Sequence, residues 1–173
     1  MLLCHDGRLG LIDWGQVKTL SLRERVRLAK LIIALADRDH EMTAQLWAAC
    51  GFATKRGLPW AIDRWASWRF ARNTPDLTSE LGGPILFEKT LGRIDGITHE
   101  PEEYVMAYRL AVLLRGNAMS LGDLTVDSAV HWRPHAVRLL RTCGETIPKT
   151  QAGRLAPTHG VDPLQGLVLP VAD

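Results

Sequence analysis

The segment Leu9-Gly10-Leu11-Ile12-Asp13-Trp14-Gly15-Gln16 holds the residue types from which a chemical site is most readily built. A carboxylate at the end of an apolar strand, followed by an aromatic residue and a glycine, aims one oxygen-rich side chain into a cleft. The glycine lets the backbone turn sharply past it. Asp13 in that position can hold Mg²⁺, a hard ion that takes one or two protein carboxylates together with phosphate oxygens. The plainer reading of Asp13, taken by itself, is a turn-forming aspartate.

Other residues offer weaker chemistry. His131 and His135 have the i, i+4 spacing that can place two imidazoles on one helical face. Trp132 stands where a metalloprotease helix would carry Glu, and Pro134 between the pair disturbs the helix, so both read as surface histidines. Trp65, Trp68, Arg69 and Arg72 fall at i, i+3, i+4 and i+7, a spacing that permits cation–π pairs and superficially resembles a base-stacking surface. Core tryptophans with arginine stems lying over them is the reading preferred for this stripe. Arg23, Arg27 and Lys30 line one helix face that can meet phosphate or lipid, or simply solvent. Cys4, Cys50 and Cys143 are widely spaced and odd in number, which argues against a disulfide framework and fits a reducing compartment.

These residues belong to a chain of 173 residues, 46% hydrophobic and 23% charged, the composition of one globular domain with or without a tail. Lys and Arg number 21 against 19 Asp and Glu, a net charge of +2 that implies no nucleic-acid partner. No apolar run approaches the roughly 18 residues of a membrane span. Residues 1–20 lack the features of a signal or transit peptide.

The elements that must position Asp13 are legible in outline. Met1 to Leu3 and Leu9 to Asp13 read as a β-hairpin around His5-Asp6-Gly7-Arg8, whose Asp-Gly is a strong hairpin signal. All that follows reads as helix. Ser21 and Glu24 form a capping box for a helix to Ala36, with Leu22, Val26, Ala29, Ile33 and Ala36 on one face, widened by Leu28, Ile32 and Leu35. Asp39 caps a second helix that stops before Gly51. A third runs from Pro59 to about Arg72. Residues 73–84 read as a loop and 85–93 as a short helix. The longest helix is expected from Thr98 to about Leu121, with Tyr104, Ala107, Tyr108, Ala111, Leu114 and Ala118 on one face. The stretches 21–36 and 103–120 are expected to be the most buried. A last helix from Val126 to Cys143, kinked or divided at Pro134, stops at Gly144. Residues 145–173, with Pro148, Pro157, Pro163 and Pro170 and no aromatic, should form a mobile tail on a domain spanning 1–144.

The logic of Asp13 is that of the kinase D-F-G element, whose Asp bridges metal to nucleotide phosphates. Asp6 through Lys18 closely resembles the metal-binding segment of the UbiB/AarF (ADCK) family of atypical protein-kinase-like proteins, where a hairpin leads into L-I-D-[FYW]-G-Q. Leu28 to Asp39 resembles that family's first long helix after the element, and Gly51-Phe52-Ala53-Thr54 its Gly-Phe turn. Tyr108 to Asn117 resembles a late helix and Trp132-Arg133-Pro134 the closing one, so the likeness covers about residues 1–143.

The resemblance implies a mainly α fold, the helical C-terminal lobe of a kinase-like protein with a short N-terminal β-hairpin. It also implies that Met1 follows directly on the family's H-x-D-P-H-P-G-N catalytic loop. The nucleotide-binding lobe, with its phosphate-pairing Lys, and the catalytic-loop Asp and Asn then lie outside this chain. Asp13 is the one metal ligand it retains. The parent protein would use ATP and Mg²⁺ for phosphoryl transfer or ATP hydrolysis in support of quinone-lipid biosynthesis, in mitochondria, plastids or bacteria. The missing lobe would be its first partner, with a membrane surface or quinone-biosynthesis proteins as others. Phosphoryl transfer needs several positioned charges at once, so the isolated chain is expected to be inactive and to bind neither cofactor tightly. The alternative is a non-catalytic helical module, a pseudokinase acting through protein or membrane contact.

Overall fold

The computed structural model describes residues 2–10, 17–123 and 125–154. Strands β1 (Leu2–Leu3) and β2 (Leu9–Gly10) pair antiparallel, Leu3 opposite Leu9, as the Asp-Gly turn predicts. Gly7 sits at φ 79° and the Asp6 carboxylate accepts from the Arg8 amide at 3.1 Å. The described part of the fold is otherwise mainly helical. It comprises α1 (Leu22–Ala36), α2 (His40–Ala49), α3 (Pro59–Ala66), α4 (Pro75–Thr78), α5 (Gly83–Asp95), α6 (Val105–Ser120) and α7 (Ser128–Thr142).

Both halves of the predicted capping box form. The Ser21 hydroxyl accepts from the Glu24 amide at 3.3 Å, and the Ser21 amide donates to Glu24 Oε2 at 2.5 Å. That amide holds the Glu24 carboxyl below the usual carboxylate range. Ser21→Ala should lower stability by about 1 kcal/mol, read as a melting temperature lower by roughly 2–4 °C. Asp39 caps α2 through the Met42 amide at 3.0 Å, and Gly51, at φ 104°, terminates it where a side chain would be strained.

The core forms around α1 and Trp47. Leu31, Ile33, Ala34 and Leu35 are buried on every side of α1, because α2 and α7 pack along it. Trp47 of α2 is fully buried, stacked on Phe52 at 5.2 Å and edge-on to Phe70 at 5.2 Å, with Tyr104 at 5.8 Å. Leu22, expected on the inner face, is instead 52% exposed, since the first turn of α1 projects beyond that packing.

Several elements differ from the sequence reading. A second antiparallel pair joins β3 (Ala53–Thr54) to β4 (Ile97–His99), so the chain is not helix throughout. Its anchor is buried Asp95, which accepts from Thr54 Oγ1 at 2.7 Å and from the Arg56 and Leu58 amides at 2.7 and 2.9 Å. β4 takes the residues assigned to the start of the longest helix, which therefore begins at Val105. Residues 73–84 are not a plain loop: they contain α4, a single 3₁₀ turn (Ser79–Leu81) and the start of α5. α3 does extend toward Arg72, but through a π-helical segment, Ser67–Ala71, closed by the Arg72 amide on the Ser67 carbonyl at 3.0 Å. α7 runs through Pro134 as one helix. The Val130 carbonyl that loses its partner belongs to a half-exposed residue, where water can take it.

Residues 145–154, read from the sequence as the start of a mobile tail, lie against the helical domain. They form a strap across the Asp37-Arg38-Asp39 corner between α1 and α2. Thr150 Oγ1 donates to Asp37 at 2.6 Å, the Gln151 amide to Asp39 at 2.8 Å, and Arg154 Nε to Asp39 at 3.0 Å. The Gly153 amide reaches the Arg38 carbonyl at 3.0 Å, and Arg133 of α7 grips Asp37 at 2.6 and 3.0 Å. Proline density fails as a signal here because polar contacts, not apolar burial, hold the strap. Residues 155–173 lie outside the described residues.

The Arg133 hydrogen bond holds the Asp37 carboxyl below its ordinary 3.8. Burial pushes the Asp39 carboxyl up, but the Gln151 and Met42 amides and Arg154 outweigh it, and it too lies below 3.8. A depressed carboxyl contributes stability above its unfolded value, lost as pH falls through the folded one. The Gln151 amide resonance should therefore titrate below pH 3.8 and not above it. At neutral pH, Asp37→Asn should raise tryptic cleavage at Lys149 roughly five- to tenfold, since it weakens hydrogen bonds to a charged group.

Candidate functional site

Asp13, with Trp14, Gly15 and Gln16, lies outside the described residues. What the structure describes is the frame on either side. Upstream, the β1–β2 hairpin is closed by the Cys4 amide on the Arg8 carbonyl at 2.8 Å, and Asp6 is taken up by the turn, bonded to Arg8 Nε at 2.7 Å. Downstream, Val17 to Leu20 leads into the Ser21 cap. Within residues 7–20 Asp13 is the one carboxylate. Any further carboxylate ligand for a cation at Asp13 must come from outside this segment.

The 17–20 segment and α6 enclose a groove of about 390 Å³, lined by Lys18, Leu20, Met106, Ala107, Leu110 and Leu113. It is mostly apolar. Leu110 and Leu113 are 51% and 56% exposed, and Val112, Leu114 and Met119 are exposed along the same helix. This corrects the expectation that 103–120 is among the most buried stretches. Of α6, Ala111 and Arg115 alone are buried, because Leu-Leu and Val-Leu pairs wrap apolar character around a helix that the core contacts on one narrow side.

The residues that carry the family likeness are distributed as structural parts. Phe52 of the Gly-Phe turn packs on Trp47, and Arg133 of the closing motif holds Asp37. Arg109, in the late helix, is exposed between the 390 Å³ groove and a second cleft of about 420 Å³ that Trp68, Glu88 and Tyr108 also line. Arg115 is buried and donates to the Trp68 and Arg69 carbonyls at 2.5 and 3.4 Å, carbonyls that the wide π turn leaves available. Burial lowers the Arg115 guanidinium to about 10, and Asp127 opposes that shift.

Of the Trp/Arg stripe, Trp65 and Arg72 are buried and Trp68 and Arg69 are half-buried against the core. Trp65 is buried and donates to the Asp95 carbonyl at 3.1 Å, and Trp68 stacks on Phe87 at 4.7 Å. The Arg69 guanidinium lies 5.3 Å from the Trp65 ring and 4.9 Å from the Tyr108 ring, with Glu100 at 2.6 Å. Burial, with Glu100 beside it, pushes the Tyr108 phenol up.

Sequence reasoning missed a histidine–carboxylate pair. His40 Nδ1 lies 3.0 Å from Asp63 Oδ2, joining the start of α2 to α3. Its signal was slight, since the partners are 23 residues apart. His131 and His135 are exposed on α7, and among the described residues no group of three or more His, Cys, Asp or Glu could hold a metal ion. Among the same residues no helix is long and apolar enough to cross a membrane. Cys50 is buried and Cys4 exposed, both unpaired. Comparison with protein-family models, curated proteins and solved structures finds no match to this chain.

Proposed function

We propose that this chain is the C-terminal helical lobe of a UbiB/AarF-type atypical kinase or ATPase. Asp13 would hold Mg²⁺ against ATP phosphates supplied by a nucleotide-binding lobe outside the chain. The observation that carries the reading is the order of elements around Asp13. A closed two-stranded hairpin comes directly before it, and a fully formed capping box opens a buried helix eight residues after it. In the family that the sequence resembles, the metal-bridging Asp stands in this same order, after a hairpin and before a long helix. The donor set fits a hard cation only in part: one carboxylate leaves most coordination positions to phosphate, water and the other lobe. Support for quinone-lipid biosynthesis follows from the likeness alone and belongs to the same proposal.

The exposed ridge of α6 favours a second reading, a non-catalytic helical module that acts through contact. Leu110, Leu113 and Leu114 together present an apolar face of the kind that marks an interaction surface. The two readings separate on one experiment. The coding sequence upstream of Met1 is read for an in-frame H-x-D-P-H-P-G-N, and the product that includes it is titrated with Mg·ATP. Saturable, Mg²⁺-dependent binding supports the first reading. The motif's absence, or no binding by a folded product, leaves the module.

A further inference from the structure

Arg38 and Arg72 meet on Asp76 where α1 ends and the π segment closes, Arg38 also reaches Asp127 at the start of α7, and Arg115 bonds the backbone of the same π segment. Arg38 follows α1 and stands at φ 58°, a left-handed conformation that costs a non-glycine residue free energy. Its Nη2 lies 3.1 Å from Asp127 Oδ2, and its Nη1 lies 3.6 Å from Asp76 Oδ2, too far for a hydrogen bond. Arg72, at the end of the π segment, donates through Nε to the same Asp76 oxygen at 3.0 Å. Arg115 reaches the segment that leads to Arg72 through the Trp68 and Arg69 carbonyls, and the Asp127 charge acts on it.

What distinguishes this junction is its unspent donors. Arg38 Nη1, Arg72 Nη1, Arg115 Nε and Ser128 Oγ are all buried without a hydrogen-bond partner. Arg72, Arg115 and Ser128 are each more than nine-tenths buried. Asp127 Oδ2 is the one acceptor there in the same condition, and it already faces Arg38. Asp127 Oδ1 is occupied as the cap of α7, accepting from Ala129 and Val130. Buried polar atoms in folded proteins almost always find a partner. A water molecule accepts two hydrogen bonds, whereas an anion accepts from every donor around it. The charge balance agrees: three guanidinium groups face two carboxylates, leaving one positive charge over. The 15-residue α7 adds the positive end of its dipole.

We propose that this junction binds one small monovalent inorganic anion, with chloride the size and charge that fit. The ion takes hydrogen bonds from Arg38, Arg72, Arg115 and Ser128 and ties α1, the π segment and the start of α7 together. Asp76, itself half-exposed, forms the solvent edge of the junction and gives the ion its route of exchange. The site is independent of the kinase-like reading.

The test is thermal unfolding of the full chain in sodium chloride against sodium gluconate at equal ionic strength, gluconate being too large to enter. The melting temperature should be about 5 °C or more higher in chloride near 100 times its dissociation constant. Ser128→Ala and Arg72→Lys should each shrink that difference by half or more. Ser128→Ala removes a hydroxyl and no buried charge, so it keeps the test intact should the arginine variant fold poorly. In crystals grown in sodium bromide, an anomalous peak should lie within hydrogen-bonding distance of Arg72 Nη1 and Ser128 Oγ. Equal melting in the two salts, an undiminished chloride effect in Ser128→Ala, or a water at that position with no bromide peak would each overturn the proposal.

Discussion

Asp13→Asn, made in a product that includes the proposed nucleotide-binding lobe, should abolish Mg²⁺-dependent nucleotide binding and turnover while leaving the fold intact. The amide keeps the shape and hydrogen-bonding capacity of the carboxylate but removes the charge that offsets the desolvation of the ion. A metal that polarises phosphate contributes several kcal/mol to the transition state, so the loss should be on the order of 10³-fold in turnover. Stability should be unchanged or slightly higher, because a carboxylate held for metal rather than for packing is a local electrostatic burden. Calorimetric titration with Mg·ATP and a denaturation midpoint on the same sample read both quantities. Normal binding and hydrolysis in the variant would show Asp13 to be a turn residue, and the kinase-like proposal would lose its only chemical group.

Trp47→Ala should be the most damaging single change to the fold. The indole is fully buried and touches Phe52, Phe70 and Tyr104, which come from three separate parts of the chain. Removing it opens a cavity that cannot collapse, since those rings are held by their own elements. The cost should be about 3–5 kcal/mol. Domains of this size are stable by about 5–15 kcal/mol, so the variant should be largely unfolded or melt far below the parent. Trp47→Phe makes a sharper measurement. Trp47 Nε1 is buried without a partner, so phenylalanine removes an unsatisfied donor along with part of the ring. Its loss should be about 1 kcal/mol, seen as a lower denaturation midpoint at unchanged slope. A Phe variant as unstable as the Ala variant would mean that Nε1 makes a bond in solution.

What the sequence by itself determined is local. The Asp6-Gly7 hairpin, the Ser21–Glu24 capping box, the Asp39 cap and the stops at Gly51 and Gly144 depend on residues within four positions of one another. Their physics is complete in a short window. That Trp65, Trp68 and Arg69 share one face is legible from their spacing, whereas Phe87 and Tyr108, which pack on that face, come from elsewhere in the chain. Asp13 is legible in the same local way, as a residue type in a pattern, and for that reason the sequence yields a proposal for it rather than a site.

Only the tertiary structure decided the features made by distant partners. β3 and β4 are two and three residues long, too short for any periodicity, and they exist because Asp95 gathers the amides of Arg56 and Leu58 from about 40 positions earlier. The contacts of the strap at 145–154 are invisible to composition, because Asp37 and Asp39, which accept its hydrogen bonds, are more than 100 residues away. α6 carries the apolar pattern of a core helix yet presents most of it to the surface, because the rest of the fold meets it along the narrow side that holds Ala111 and Arg115. Hydrophobic periodicity states what a face can bury, and the rest of the packed chain sets whether anything is there to bury it against.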